Sequence, residues 1–172
     1  CPEGVLPDPN VNGCTDSYPD LESLIDDIDN SVIPEPSANG TIWIMAGSDA
    51  SISDIEIDGS VFTNWSNFNL TLQGGWDGTA TGNVSGASDF SIALSVINWS
   101  GSVTLNQIAI SNTAGTGLEV STDGDIVLED VSSSDNGGYG AELNSTAGSI
   151  TLNGTNAFNN NVDTGLYADA NG

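Results

Sequence analysis

The sequence predicts an all-β solenoid, and three observations carry that reading. A phrase with two apolar alternations recurs as Leu94-Ser95-Val96 … Val103-Thr104-Leu105, Leu118-Glu119-Val120 … Ile126-Val127-Leu128 and Ala141-Glu142-Leu143 … Ile150-Thr151-Leu152, and opens a fourth time at Leu166-Tyr167-Ala168. Val103 and Ile126 stand 23 residues apart, Ile126 and Ile150 stand 24 apart, and a fixed period of this size marks units that stack because none can bury its apolar face alone. Within each unit the apolar residues alternate at period 2, the mark of strands, while Gly, Asn, Ser and Asp between them supply corners. A chain of 172 residues accommodates one coil of roughly five rungs. Its 37% hydrophobic content suits a narrow core.

Taken in order, the chain divides into an N-terminal segment, 1–19, and a solenoid domain, 20–172, with a capping helix at about 20–30. Cys1 and Cys14 are the only cysteines. As a pair closing a short Pro-rich loop they read as a disulfide made outside the cytoplasm, contributing about 3 kcal/mol in the chain-entropy model. The competing reading, a lipidated Cys1, leaves Cys14 as an unpaired extracellular thiol. Inside the loop, Asp8, Asn10, Asn12 and Asp16 follow the first half of a calcium-loop pattern, with Gly13 at the tight turn. Pro19 occupies the twelfth position, where a bidentate Glu belongs, so an ordinary Asx-rich turn competes with the calcium site. Leu21, Leu24, Ile25 and Ile28 then recur at helical spacing, with Ser17 or Asp20 as the cap and Asn30, Ser31 and Pro34 at the stop.

A loop over 34–40 leads to strands over 41–45, 52–57, 60–62 and 69–73. The stretch 74–89 interrupts the pattern and reads as an elongated corner inside a rung. Asn64-Trp65-Ser66 stands before Leu70 much as Asn98-Trp99-Ser100 stands before Val103, so the early rungs are looser copies of the later ones. Leu105, Leu128 and Leu152 are expected in one inward column and Ile108 and Val131 in another, nearly fully buried. Asn112, Asn136 and Asn160, at spacings of 24, are expected to form a corner ladder.

The charge balance excludes several functions. The chain has no Lys, Arg or His and 24 acidic residues, for a net charge of −24. Neutralising nucleic-acid phosphate or anionic lipid requires cationic side chains, so neither is an expected partner. The carboxylates form either a solvated surface that keeps a β-rich chain dispersed or a set of sites bridged by divalent cations. No apolar run is long enough to span a bilayer. The start at Cys1, without initiator Met or signal peptide, fits a processed product or a piece of a longer protein.

A helix at 20–30, then Gly40-Thr41-Ile42-Trp43-Ile44, then Asn69-Leu70-Thr71-Leu72-Gln73-Gly74-Gly75-Trp76-Asp77, then Val103-Thr104-Leu105 … Ile108-Ala109-Ile110-Ser111-Asn112 resembles right-handed parallel β-helix proteins. It is similar to the pectin-lyase-like superfamily, in particular to the non-catalytic repeat proteins of bacterial cell surfaces. The resemblance covers 20–172 and implies a right-handed coil without enzymatic activity. Catalytic members rely on basic residues that this chain lacks. Carboxylate-only glycoside hydrolysis would need two acids about 5–10 Å apart, and Asp125, Glu129 and Asp130 near Glu119 and Glu142 are the candidates. The many serines have no His or Lys to activate them. No catalytic residue is expected, and calcium is the one candidate cofactor.

Seven N-x-[ST] sequons occur, at Asn39, Asn64, Asn69, Asn83, Asn98, Asn144 and Asn153. Composition alone produces many such matches, and those in strands, such as Asn69, are poor acceptors. The functional expectation is an extracellular, cell-surface structural protein that self-assembles head to tail into a fibre, with no cap after the last repeat. Its axial repeat is expected at about 25–35 Å, and the Cys1–Cys14 segment is a candidate strand for a neighbour's edge. The alternative is an adhesin or carbohydrate-binding module, with a glycan partner, from a larger secreted protein.

Overall fold

The computed structural model describes residues 1, 6, 7, 14 and 17–172. The helix α1 (Leu21–Asp29) is followed by fourteen strands. Its start is fixed by Asp20, whose carboxylate accepts from Ser23 N–H at 2.7 Å. Leu21, Ile25 and Ile28 turn one face into the core, leaving Asp26 and Asp29 in water.

The strands form a parallel β-solenoid. The chain runs through β1 (Gly40–Met45), β2 (Gly47–Ser48), β3 (Ile55–Asp58), β4 (Leu70–Trp76), β5 (Ser88–Phe90), β6 (Leu94–Trp99) and β7 (Val103–Asn106). It continues through β8 (Ile108–Ser111), β9 (Leu118–Thr122), β10 (Ile126–Glu129), β11 (Ser132–Ser134), β12 (Ala141–Ser145), β13 (Ile150–Asn153) and β14 (Leu166–Ala170). These stack into three parallel sheets: β1-β4-β7-β10-β13, β2-β5-β8-β11 and β3-β6-β9-β12-β14. The sequence shows two alternations per unit, and the middle sheet is the less legible one because its strands are as short as Gly47–Ser48.

Register makes the core a set of columns. Ile42, Leu72, Leu105, Leu128 and Leu152 align in the first sheet, and Ile57, Val96, Val120, Leu143 and Ala168 align in the third. Leu72, Leu105 and Leu128 are wholly buried, as are Ile108 and Val131. Leu152 departs from expectation: it occupies the expected column but is 43% exposed, because no rung covers it among the described residues.

Two further expectations are corrected. Residues 60–62 form a turn, not a strand, because the Asp58 carboxylate accepts from Ser60 N–H and the backbones of Val61 and Phe62 donate to Asp58 O. Of the expected Asn ladder, Asn136 bridges rungs while Asn112 and Asn160 do not. Asn112, Asp135 and Asn160 take the left-handed conformation that turns the corner (φ 60, 60 and 56°). The side-chain ladder comes from the residues after them: Asn136 Oδ1 accepts from Thr113 N–H, and Asn161 Oδ1 from Asn136 N–H, at 3.1 and 3.0 Å. A second ladder runs along the corner before the first sheet. There Asn39, Asn69, Ser102 and Asp125 each accept the N–H of the equivalent residue one rung on, ending at Ser149.

At the corner between the third and first sheets, Phe62, Trp65 and Trp99 pack edge to face, with centroids 5.7 and 5.4 Å apart. Trp99 Nε1 donates to Phe68 O at 3.0 Å, which anchors this corner across one rung.

Candidate functional site

The two ends of the coil differ, and that difference defines the candidate site. At the β13–β14 end the alternation of backbone groups continues beyond the last pairing. Leu70, Val103 and Ile126 N–H donate forward to Ser102, Asp125 and Ser149 O, each at 2.9 Å. Ile150 is the next residue of that column, so Ile150 and Leu152 present their N–H and C=O groups to the outer edge of β13. In the third sheet Leu118 and Ala141 donate forward in the same way, and Leu166 stands next in line. No strand pairs with the outer edges of β13 and β14 among the described residues. Around this edge Leu152 is exposed, while Ile150, Phe158 and Leu166 are only half-buried.

The opposite end is covered in part, with Ile42 and Trp43 of β1 half-buried. α1 packs its apolar face into the core cluster, Leu21 N–H donates to the Asp49 carboxylate, and the Glu22 carboxylate accepts from Ile52 and Ser53 N–H. Those donors hold the Glu22 carboxyl below its ordinary range. Cys1 and Cys14 are disulfide-bonded. The Cys1 backbone both donates to and accepts from Thr41 of β1, at 2.7 and 2.6 Å. Cys1 thus pairs with the chain's own first strand. Burial lowers the pKa of the Cys1 ammonium. Beside α1 lies a groove of about 580 Å³ with Val32, Ile33, Pro34, Val61 and Phe62 in its wall. Val32 and Val61 are largely exposed there.

Several carboxylates are structural acceptors. Asp125 accepts from Ser149 N–H and Asp130 from Thr155 N–H. The five acids grouped for glycoside hydrolysis do not share a face. Asp125 and Asp130 flank β10 and Glu129 ends it, in the first sheet, while Glu119 and Glu142 lie in register on β9 and β12 in the third. Burial raises the Glu119 pKa, and the neighbouring charges of Glu142 and Glu56 raise it further. Asp8, Asn10, Asn12 and Asp16 lie outside the described residues. Among the described residues no cluster of three or more His, Cys, Asp or Glu side chains is disposed to hold a metal ion, and no helix is long and apolar enough to cross a membrane.

Sequence reasoning did not anticipate an outward aromatic pair on the third sheet side. Tyr139 and Tyr167 have ring centroids 6.4 Å apart, and Tyr167 continues the column of Glu119 and Glu142. Tyr167 stands in the fourth opening of the repeated phrase, at the position of Glu119 and Glu142, while Tyr139 lies outside the phrase, so the repeat alone does not join the two. Comparison with protein-family models, curated proteins and solved structures found no match to this chain.

Proposed function

We propose that this protein is an extracellular structural building block that assembles head to tail through the β13–β14 end of its coil, and that it is not an enzyme. What supports the reading is the outer side of β13 and β14, with which no strand pairs among the described residues, and Leu152 of the inward Leu column, which is 43% exposed there. An edge of this kind templates pairing with another chain. Pairing of that edge with the opposite pole of a neighbour is a heterologous contact, which propagates as a filament unless its rotation closes a ring. The exposed Val32 and Val61 of the groove beside α1 supply apolar area at the other pole. The coil is read as right-handed, because crossovers between parallel strands of one sheet are so in about 98% of cases. Kinship with pectin-lyase-like surface repeats belongs to this same reading, as does location outside the cytoplasm, which the disulfide favours.

At a net charge of −24 the subunits repel one another, so salt or divalent cations are expected to promote assembly by screening or bridging carboxylates. Sedimentation velocity and electron microscopy over increasing protein, salt and calcium concentration test this. Filaments with an axial repeat of about 25–35 Å are expected, together with their loss in Leu152→Asp. A wild-type chain that stays monomeric under all these conditions refutes the proposal. That outcome promotes the second reading, a glycan-binding module of a larger surface protein, which the Tyr139–Tyr167 pair beside Glu142 favours because aromatic faces and carboxylate acceptors suit sugar rings.

A further inference from the structure

The sequons are a motif that the fibre reading leaves unused, and the fold sorts them. A transferase must grip the acceptor Asn and the hydroxyl residue two places on, so a sequon that stays available in the folded chain has all three residues in solvent. Five of the seven fail this. The middle residues Trp65, Leu70 and Trp99 of the Asn64, Asn69 and Asn98 sequons are core residues. Ser145 of the Asn144 sequon is buried and donates to Gly124 O. The Asn39 sequon is half-buried throughout and runs into β1, with Asn39 Oδ1 accepting from Asn69 N–H. Two sequons pass: Asn83-Val84-Ser85 and Asn153-Gly154-Thr155 are exposed at every position.

Their settings differ from those of the other five. Asn83 lies on the excursion between β4 and β5, where the only β-bridge is Trp76 with Val84 and Asn83 O accepts from Asp77 N–H. Asn153 ends β13 one residue after the inward Leu152, so its side chain points radially outward, in register with Glu129 and Asn106. Gly154 follows at φ +65°, a conformation that frees the chain from the strand. A glycan on either residue leaves the core columns untouched.

We infer that Asn83 and Asn153 are N-glycan acceptors and that the other five sequons are not. In the step, Nδ2 of the Asn attacks the anomeric carbon of a lipid-diphosphate-linked sugar. A C–N bond forms, the C–O bond to the diphosphate breaks, the lipid diphosphate leaves, and the amide gives up one proton. The assignment rests on the extracellular location proposed above, which the disulfide favours.

The test is glycopeptide sequencing of the protein isolated from the cells that make it. Digestion must be at Asp or aromatic residues, since the chain has no Lys or Arg. Fragmentation that retains sugar on the peptide should place added mass on Asn83 and Asn153 and leave the other five as plain Asn. Asn83→Gln and Asn153→Gln should each remove one glycan from the intact mass with the thermal midpoint unchanged. Unmodified Asn83 and Asn153, or equal occupancy at Asn64, Asn69 and Asn98, overturns the assignment. The result is independent of whether the chain polymerises.

Discussion

Leu128 and Leu152 occupy the same inward column one rung apart, and truncating each to Ala separates interior stacking from the open end. Leu128 is wholly buried between Leu105 and Leu152. Leu128→Ala therefore removes the transfer term and leaves a cavity walled by two rungs, costing about 2–5 kcal/mol. For a chain of this size that lowers the thermal midpoint by roughly 5–15 °C. Leu152 is 43% exposed. Scaling a full Leu burial of roughly 1.5–3 kcal/mol by its buried fraction gives about 1–1.5 kcal/mol, and its cavity is open to water. Thermal unfolding followed by circular dichroism, at a dilution that keeps the chain monomeric, should rank Leu128→Ala well below Leu152→Ala. In assembled protein the gap should narrow, since a neighbour then covers Leu152. Equal costs in the monomer would refute the stacked-column account of stability, and a gap that persists in filaments would refute Leu152 as part of the junction.

Other expectations concern corners, caps and charge. Asn136→Ala strands the buried N–H of Thr113 and should cost about 1–3 kcal/mol, whereas Asn112→Gly, at φ 60°, should be close to neutral by chemical denaturation. Asp20→Ala removes the cap of α1 and should cost about 0.5–2 kcal/mol, with faster amide exchange confined to 21–29. Glu119 carries a raised folded pKa, so the folded state binds its proton more tightly than the unfolded one. Its charged form destabilises above that pKa, and the penalty fades as pH falls through it into the unfolded carboxylate range. Glu119→Gln should therefore raise the thermal midpoint at neutral pH and match the wild type in acid. Asp58 has the opposite sign: the Asn98 amide and Ser60 lower its pKa, so the stability it contributes is present at neutral pH and lost as pH falls through the folded value.

The period of the inward columns was legible because side-chain direction in a strand depends only on parity, so Leu105 and Leu128 stack whatever the corner between them does. Corners were less legible. Asn112 and Asn136 look equivalent at a spacing of 24, yet one turns the chain and the other bridges rungs, and only backbone φ distinguishes those tasks. Residues 60–62 read as a strand because Val61 and Phe62 have β propensity, and the Asp58 carboxylate overrides it locally. The pairing of Cys1 with Thr41 was not legible, since no local signal reports which strand a terminus will reach across 40 residues.

The corner ladder from Asn39 to Ser149 passes one bond per rung using Asn, Ser or Asp in turn. Any of these residue types can follow any other, so the joint is indifferent to which rung comes next. Duplicating a 23-residue unit such as 103–125 would add a turn whose columns and ladder match on both sides. Length in this architecture is thus an inheritable variable that tandem duplication changes in steps of about 4.8 Å, leaving both poles as they are.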